Sequence, residues 1–230
     1  NYDSFSYPCL NNQVIAWTGN LNSIVEQPQV GGVFYDKEAF KKAGVDAEPK
    51  TWTEFLDACK KLKESGVGPI AQDSAYCDYA FYYHLVRHLG EEKITELAVN
   101  GGWSGTAAEK AAQEFPSSEN KIGFGMAAMI VCANYVTAEV NGNTGTQVNW
   151  GLFNYPAVDN GAENTAAYAG ANSLAITSYT ENAQAAFDFI MFLTTGEYDQ
   201  KMADTAQQIP ADNRNTAPVP SRPCCPRKRP

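Results

Sequence analysis

Residues 31–55, GGVFYDKEAFKKAGVDAEPKTWTEF, confine this part of the chain to a strand that turns directly into two short helices. Val33, Phe34 and Tyr35 form an apolar run of the kind that suits a pleated, buried strand. From Lys37 to Ala43 the apolar positions recur at helical spacing, and Gly44 supplies the left-handed residue that closes such a helix. Pro49 cannot continue it. Thr51 and Glu54 then stand in capping-box register, so each side chain can satisfy a free backbone N–H at the start of a second helix, Trp52–Ser65. Trp52, Phe55, Leu56, Cys59 and Leu62 give that helix an apolar stripe, and Gly66 ends it.

The remaining sequence alternates in the same manner. Residues 1–30 lack periodicity and read as loop, with a strand near Val14–Trp17. Strands are expected at Pro69–Gln72, Met126–Cys132, Val148–Phe153 and Ser173–Thr177. Helices are expected at Asp78–Leu89, stopped by Gly90, and at Glu92–Val99, Thr106–Phe115, Glu181–Leu193 and Glu197–Ala206. Ser178 and Glu181 form a second capping-box pattern. Strands alternating with helices predict an α/β fold with parallel pairing. From Thr216 the sequence becomes APVPSRPCCPRKRP after its first residue; such proline density excludes a helix or a central strand and reads as disordered.

At 230 residues and 44% hydrophobic, the chain can build one large domain or two small lobes. No run of about 18 apolar residues occurs, so no helix is expected to span a membrane. The chain opens on Asn1-Tyr2-Asp3 without the basic and apolar regions of a leader, as a mature chain or an internal fragment would. Its net charge is −9, and Arg222, Arg227, Lys228 and Arg229 lie in the last ten residues, so the rest is more acidic still. Such a surface disfavours nucleic acid, whose binding requires phosphate neutralisation. The six cysteines (Cys9, Cys59, Cys77, Cys132, Cys224, Cys225) contain no C-x-x-C, which argues against zinc. Cys59 and Cys132 read as small buried hydrophobes, while Cys59–Cys77 and Cys9–Cys77 disulfides both stay open.

His84 and His88 stand i, i+4 on a predicted helix, but no H-E-x-x-H occurs and no carboxylate spacing completes a metal site. They read as surface or boundary histidines. Gly123-Phe124-Gly125-Met126-Ala127-Ala128 matches G-x-G-x-x-A only superficially, and neither a phosphate loop nor a G-x-S-x-G elbow is present. No cofactor or metal is expected. The positive chemical signal is aromatic: 12% of residues, with Tyr76, Tyr79, Phe81, Tyr82 and Tyr83 close together. Rings cover the apolar C–H faces of sugars while neighbouring carboxylates and amides take the hydroxyls. Tyr76, Asp78 and Tyr79 at the start of a helix fit that use; core packing is the plain alternative for each ring. A carbohydrate-active hydrolase would need the same residue types plus a carboxylate pair.

Several segments, taken together and in order, resemble the family-1 extracellular solute-binding proteins of carbohydrate ABC importers, the maltose-binding-protein-like group. Phe34-Tyr35-Asp36-Lys37-Glu38-Ala39-Phe40 is similar to the family's Y-N-K-D-x-F element. Ala43-Gly44-Val45 and Pro49-Lys50-Thr51-Trp52-Thr53-Glu54-Phe55 match its A-G-hydrophobic and P-x-T-W-x-E-hydrophobic elements. Gly125-Met126-Ala127-Ala128-Met129 resembles G-K-A-A-M, with Met126 in the lysine's place. Phe153-Asn154-Tyr155-Pro156, the crossover Gly170–Ile176, Ala183–Glu197 and Ile209-Pro210-Ala211 follow the family's later elements.

The resemblance spans about residues 30–215. It implies a type II periplasmic-binding-protein-like fold of two α/β lobes joined by hinge strands, with ligand taken up in the cleft as the lobes rotate. Residues 1–34 would be a remnant of the first lobe with the first hinge strand, and 35–169 the second lobe. Residues 170–215 would be the return hinge with first-lobe helices, and 216–230 an atypical tail. A fragment is implied, since only about 30 residues precede the first crossover. The family stacks a Trp on sugar after G-K-A-A-M; Tyr135 stands at the matching position. The resemblance also nominates Gly170, Ala171 and Asn172 of the return crossover, Tyr76, Asp78 and Tyr79, and Gln29 before the first crossover. It implies a monomeric, non-enzymatic protein outside the cytoplasm, in the periplasm or as a surface lipoprotein. Its partners would be a sugar or oligosaccharide and the permease subunits of an ABC importer, not nucleic acid. A carbohydrate-active hydrolase is the rival reading, and an interaction module without a cleft a third.

Overall fold

The computed structural model describes residues 2, 7, 10–15, 19–72, 77–101 and 125–217. The chain divides into two compact units: Gly31–Tyr168, and Asn1–Val30 together with Ala169–Pro230. The first strand, β1 (Ile24–Asp36), runs through both.

In the 31–168 unit, β1 leads into α2 (Lys37–Lys42) and α3 (Trp52–Glu64), then β2 (Gly68–Ala71), α4 (Cys77–Leu89) and α5 (Glu91–Asn100). After the undescribed stretch come β3 (Ala127–Ala133), α6 (Val136–Thr144) and β4 (Trp150–Phe153). The strand order is β2-β3-β1-β4. The expectation of parallel pairing is corrected. β2 and β3 are parallel, but β1 pairs antiparallel with both β3 and β4, from Gly31↔Ala133 to Tyr35↔Met129 and from Val33↔Phe153 to Asp36↔Trp150. Alternation of strands and helices fixes only that connections cross a face; strand direction depends on where the chain re-enters the sheet.

Residues alternate across β1, and both faces are buried. Val33 and Tyr35 meet Phe40, Phe55, Leu62, Met129, Val131, Phe153 and Tyr155 on one side. Phe34 meets Ile130, Cys132, Val136, Val140 and Trp150 on the other. The Thr51 capping box forms as expected: Glu54 N–H donates to Thr51 Oγ1 at 3.3 Å, and Thr51 N–H to Glu54 Oε2 at 3.1 Å. Gly44 and Gly66 take the left-handed conformation (φ 68° and 86°) that ends their helices. One member of the predicted α3 stripe is misplaced. Leu56 is 51% exposed, and Ala58 is buried in its stead, on the face shared by Phe55 and Leu62.

In the other unit, Ile24–Val30 of β1 pairs antiparallel with β5 (Ala169–Leu174), from Ile24↔Leu174 to Val30↔Ala169. The loop reading of residues 1–30 is therefore corrected at its end: residues 24–30 are strand. The polar run Glu26-Gln27-Pro28-Gln29 hides it, and the register slips between Val25 and Gln27. Of the strand expected near Val14–Trp17, Val14 instead ends the helix α1 (Asn11–Val14), Ile15 forms an antiparallel bridge with Leu21, and residues 16–17 lie outside the described set. The strand expected at Ser173–Thr177 ends at Leu174 and begins earlier, at Ala169.

The chain continues as α7 (Ala183–Thr194) and α8 (Gly196–Ala206). The second capping box does not form, because α7 starts after Glu181 and Thr180 Oγ1 instead accepts from Asn182 N–H at 3.2 Å. Two buried carboxylates organise the segment after α8. Asp199 accepts from the N–H groups of Ala211 and Asp212, and Asp212 accepts from Gly196 N–H and the Arg214 guanidinium. Burial pushes the Asp199 carboxyl up in spite of those donors.

Two further expectations reach few described residues. The helix expected at Thr106–Phe115 lies outside them, as does the tail beyond residue 217. Cys59 is a free thiol, which removes the Cys59–Cys77 disulfide; the Cys9–Cys77 alternative falls outside the described side chains. Among the described residues no helix is long and apolar enough to cross a membrane.

Candidate ligand-binding site

Of the aromatic cluster seen in the sequence, Tyr79, Phe81, Tyr82 and Tyr83 lie on α4, and Tyr79 marks one face of it. Tyr79 and Tyr83 are i, i+4 and so share that face. α5 packs against the helix through Leu85, Val86 and Ile94. Between these two helices and Tyr168 lies a recess of about 690 Å³, lined by Asp78, Tyr79, Phe81, Tyr82, Tyr83, Leu85, Ile94, Ala98 and Tyr168. It lies wholly within the 31–168 unit.

Tyr79 and Tyr168 meet in its wall. The Tyr79 ring meets Tyr168 edge-on, 5.1 Å between centroids. Burial pushes the Tyr79 phenol up, reinforced by its hydrogen bond to Tyr168 and opposed by one from Tyr135. Cys132 Sγ donates to Tyr135 Oη at 3.5 Å. Burial, with the Glu91 charge, also raises Tyr82. The Tyr79 and Tyr82 phenols thus stay protonated at neutral pH and serve as neutral donors and acceptors. Asp78, exposed in the first turn of α4, adds the one carboxylate among the described lining residues, and no cation stands among them.

Behind the recess the rings are locked by a buried cation. Tyr83 stacks on Tyr155 at 5.3 Å and 7°. Arg87, fully buried, sits 5.5 Å from the Tyr83 centroid and 6.0 Å from that of Tyr155. Its Nη2 donates to Tyr155 O at 2.8 Å and to Asn154 Oδ1 at 3.3 Å, and Nη1 donates to Glu163 O at 3.2 Å. Burial pushes this guanidinium down, but it stays charged, held by oxygens that carry no full charge of their own. His84 meets Tyr155 edge-on, 6.2 Å between centroids, with Nδ1 3.3 Å from its hydroxyl. The His84 and His88 rings touch edge-on at 4.6 Å. Among the described residues no third metal-ligating side chain joins them.

The nominated residues fall into two groups. Asp78 and Tyr79 line the recess, and Tyr135 reaches it through the Tyr79 hydroxyl. Gln29, Gly170, Ala171 and Asn172 lie in the other unit, on the β1–β5 pair, where Gln29 opposes Gly170 and Pro28 opposes Ala171. Asn172 Nδ2 donates to Gln27 Oε1 at 2.7 Å. Tyr76 lies outside the described residues. The nominations omit Tyr82, Tyr83 and Tyr168. Helical spacing from Tyr79 was a signal for Tyr83; Tyr168 carries no local signal, because only the fold brings it to α4.

Residues 8–200 match the sequence profile of the family described as bacterial extracellular solute-binding protein. The chain belongs to this family. Among curated members, the sn-glycerol-3-phosphate-binding periplasmic protein of Escherichia coli K12 is 46% identical over 97 residues, 40% of this chain and 20% of its own length. Its namesake in Rhizobium meliloti is 48% identical over 46 residues, 19% of this chain and 11% of its own. Two solved structures share the fold. A chitin oligosaccharide binding protein superposes with TM-score 0.76 at 19% identity, covering 96% of this chain and 60% of that one. A maltose-bound Thermotoga maritima MalE3 gives 0.68 at 20%, covering 92% and 59%. The family's type II periplasmic-binding-protein-like α/β fold is therefore this chain's fold, and the chain spans a fifth or less of the curated relatives' length and about 60% of these structures.

Proposed function

We propose that the protein captures a neutral sugar or oligosaccharide outside the cytoplasm and delivers it to the permease of an ABC importer. The observation that carries this reading is the recess on α4: tyrosine rings, neutral hydroxyls and a single carboxylate, without a cation among its described lining. Rings of this kind cover sugar C–H faces, and Asp78 with the Tyr79 and Tyr168 hydroxyls takes polar edges. Tyr135 is a further candidate ligand contact in the same unit; Gln29, Gly170, Ala171 and Asn172 are separate candidates in the other unit. In this reading residues 35–169 form the second lobe, while 1–34 and 170–215 contribute first-lobe and hinge segments of a monomer. The protein is exported, as a periplasmic protein or a lipoprotein, and binds no nucleic acid. In this reading it binds its ligand without catalysis, which its membership of a solute-binding family supports.

The curated relatives favour a second ligand, a glycerol phosphate ester. The described lining of the recess speaks against it, since a phosphate dianion beside Asp78 is repelled and no described lining residue supplies a compensating cation. Isothermal titration against xylo-, chito- and malto-oligosaccharides and against glycerol 3-phosphate, with chromatography of the mixtures, separates the readings. Saturable binding of an intact neutral saccharide is the expected result. Release of shorter sugars establishes a hydrolase, and binding of the phosphate ester alone overturns the neutral-ligand reading.

A further inference from the structure

The chain passes between its two units at Val30–Gly31 and again at Tyr168–Ala169. On the 31–168 side these two crossings are held as an interrupted antiparallel pair. Gly31 N–H donates to Tyr168 O at 3.1 Å. The reciprocal bond, from Tyr168 N–H to Gly31 O, is replaced by a phenol. Tyr168 N–H donates to Tyr83 Oη at 2.8 Å, and Tyr83 Oη donates to Gly31 O at 2.8 Å. A hydroxyl can do this because it accepts and donates at once. Tyr83 is buried, 3% exposed, so neither bond is readily exchanged for one to bulk water. Gly31 is required for the approach: a Cβ there would stand 2.9 Å from Tyr168 Cβ.

The same tyrosine forms part of the recess wall, and Tyr155 and Arg87 back its ring. We propose that Tyr83 is a positioning residue that couples occupation of the recess to both crossings, its ring sensing the ligand and its hydroxyl holding the paired segments. The coupling rests on the recess being the ligand site. Ligand packing that shifts the ring moves Oη, and one displacement alters two backbone tethers together. Since a ligand moves an equilibrium only by its differential affinity, the tethered state must bind more tightly or more weakly than the released one.

Residue-resolved amide exchange tests this on the unsubstituted protein and on Tyr83→Phe, which keeps the ring and its stack on Tyr155. Without ligand, exchange at Gly31 and Tyr168 is expected to rise roughly threefold to tenfold in Tyr83→Phe, the worth of about one hydrogen bond. Exchange at Val131, in the core of β3, should stay unchanged. On adding the oligosaccharide that binds best, the Gly31 and Tyr168 amides of the unsubstituted protein change protection, and those of Tyr83→Phe do not. Saccharide binding that leaves these amides unaltered in the unsubstituted protein overturns the coupling alone, and needs no variant to fold. An equal ligand response in both proteins, or unaltered ligand-free exchange in Tyr83→Phe, also overturns it. Absence of binding by every saccharide overturns it together with the sugar reading.

Discussion

Among single residues the most consequential is Arg87, a cation without exposure whose hydrogen-bonded partners are two carbonyls and an amide oxygen. Replacing it with Met keeps the volume but strands buried acceptors, and each lost bond to a charged donor is worth roughly 1.5–3 kcal/mol. Arg87→Met is expected to lose about 3 kcal/mol in urea denaturation; a loss below about 1 kcal/mol would show the guanidinium to be dispensable. His84 gives a pH signature. Burial, then the neighbouring His88, lowers its pKa from the ordinary 6.5. The unfolded chain therefore binds this proton more readily than the native state does. The stability is intact above pH 6.5 and is lost as pH falls from there toward the lowered value. In His84→Gln that part of the acid dependence should vanish from melting curves taken between about pH 7 and 5. Asp78 and Tyr79 were legible as residues that share one surface, here the recess wall, because neighbouring positions at a helix start share surroundings. Tyr168 was not, since it meets Tyr83 across a sequence separation of 85.

Among the elements, α3 and α7 show when a local pattern is decisive. Thr51 and Glu54 cap α3 because the strand-like backbone at Thr51 delivers both side chains to free N–H groups. Ser178 and Glu181 share the spacing, yet the chain turns at Thr177–Thr180 and the helix begins later. A capping box needs the helix to start at its first residue, and that depends on where the preceding strand stops. Thr51→Ala is expected to cost about 1 kcal/mol, read as a lowered thermal midpoint, whereas Ser178→Ala should leave the midpoint unmoved. An equal loss in both would mean that the hydroxyls act through something other than capping. The strands show the same division. Apolar runs made β3 and β4 legible, but β1 was legible only over Val33–Tyr35, since Glu26-Gln27-Pro28-Gln29 lacks any alternation.

For the molecule as a whole, α7 stands out. AQAAFDFIMFLT is apolar nearly all round, a composition proper to a buried helix. Only Ile190 and Thr194 are buried, and Phe187, Phe189 and Phe192 are 44%, 60% and 56% exposed. A bare apolar face of this kind binds hydrophobic dyes and promotes self-association. Phe187→Gln with Phe189→Gln should lower dye fluorescence and aggregation while stability changes by no more than about 0.5 kcal/mol; a larger loss would show the face already covered in solution. The order of amino acids was enough to reveal the helices closed by glycine, the Thr51 cap, the buried β3 and the family, because caps, glycine conformations and short motifs act over a few residues. The antiparallel setting of β1 against β3 and β4, and the union of Tyr79, Tyr83 and Tyr168 around one recess, emerged only in three dimensions. Those depend on contacts between residues far apart in the chain, and no local propensity encodes the direction from which a distant segment returns.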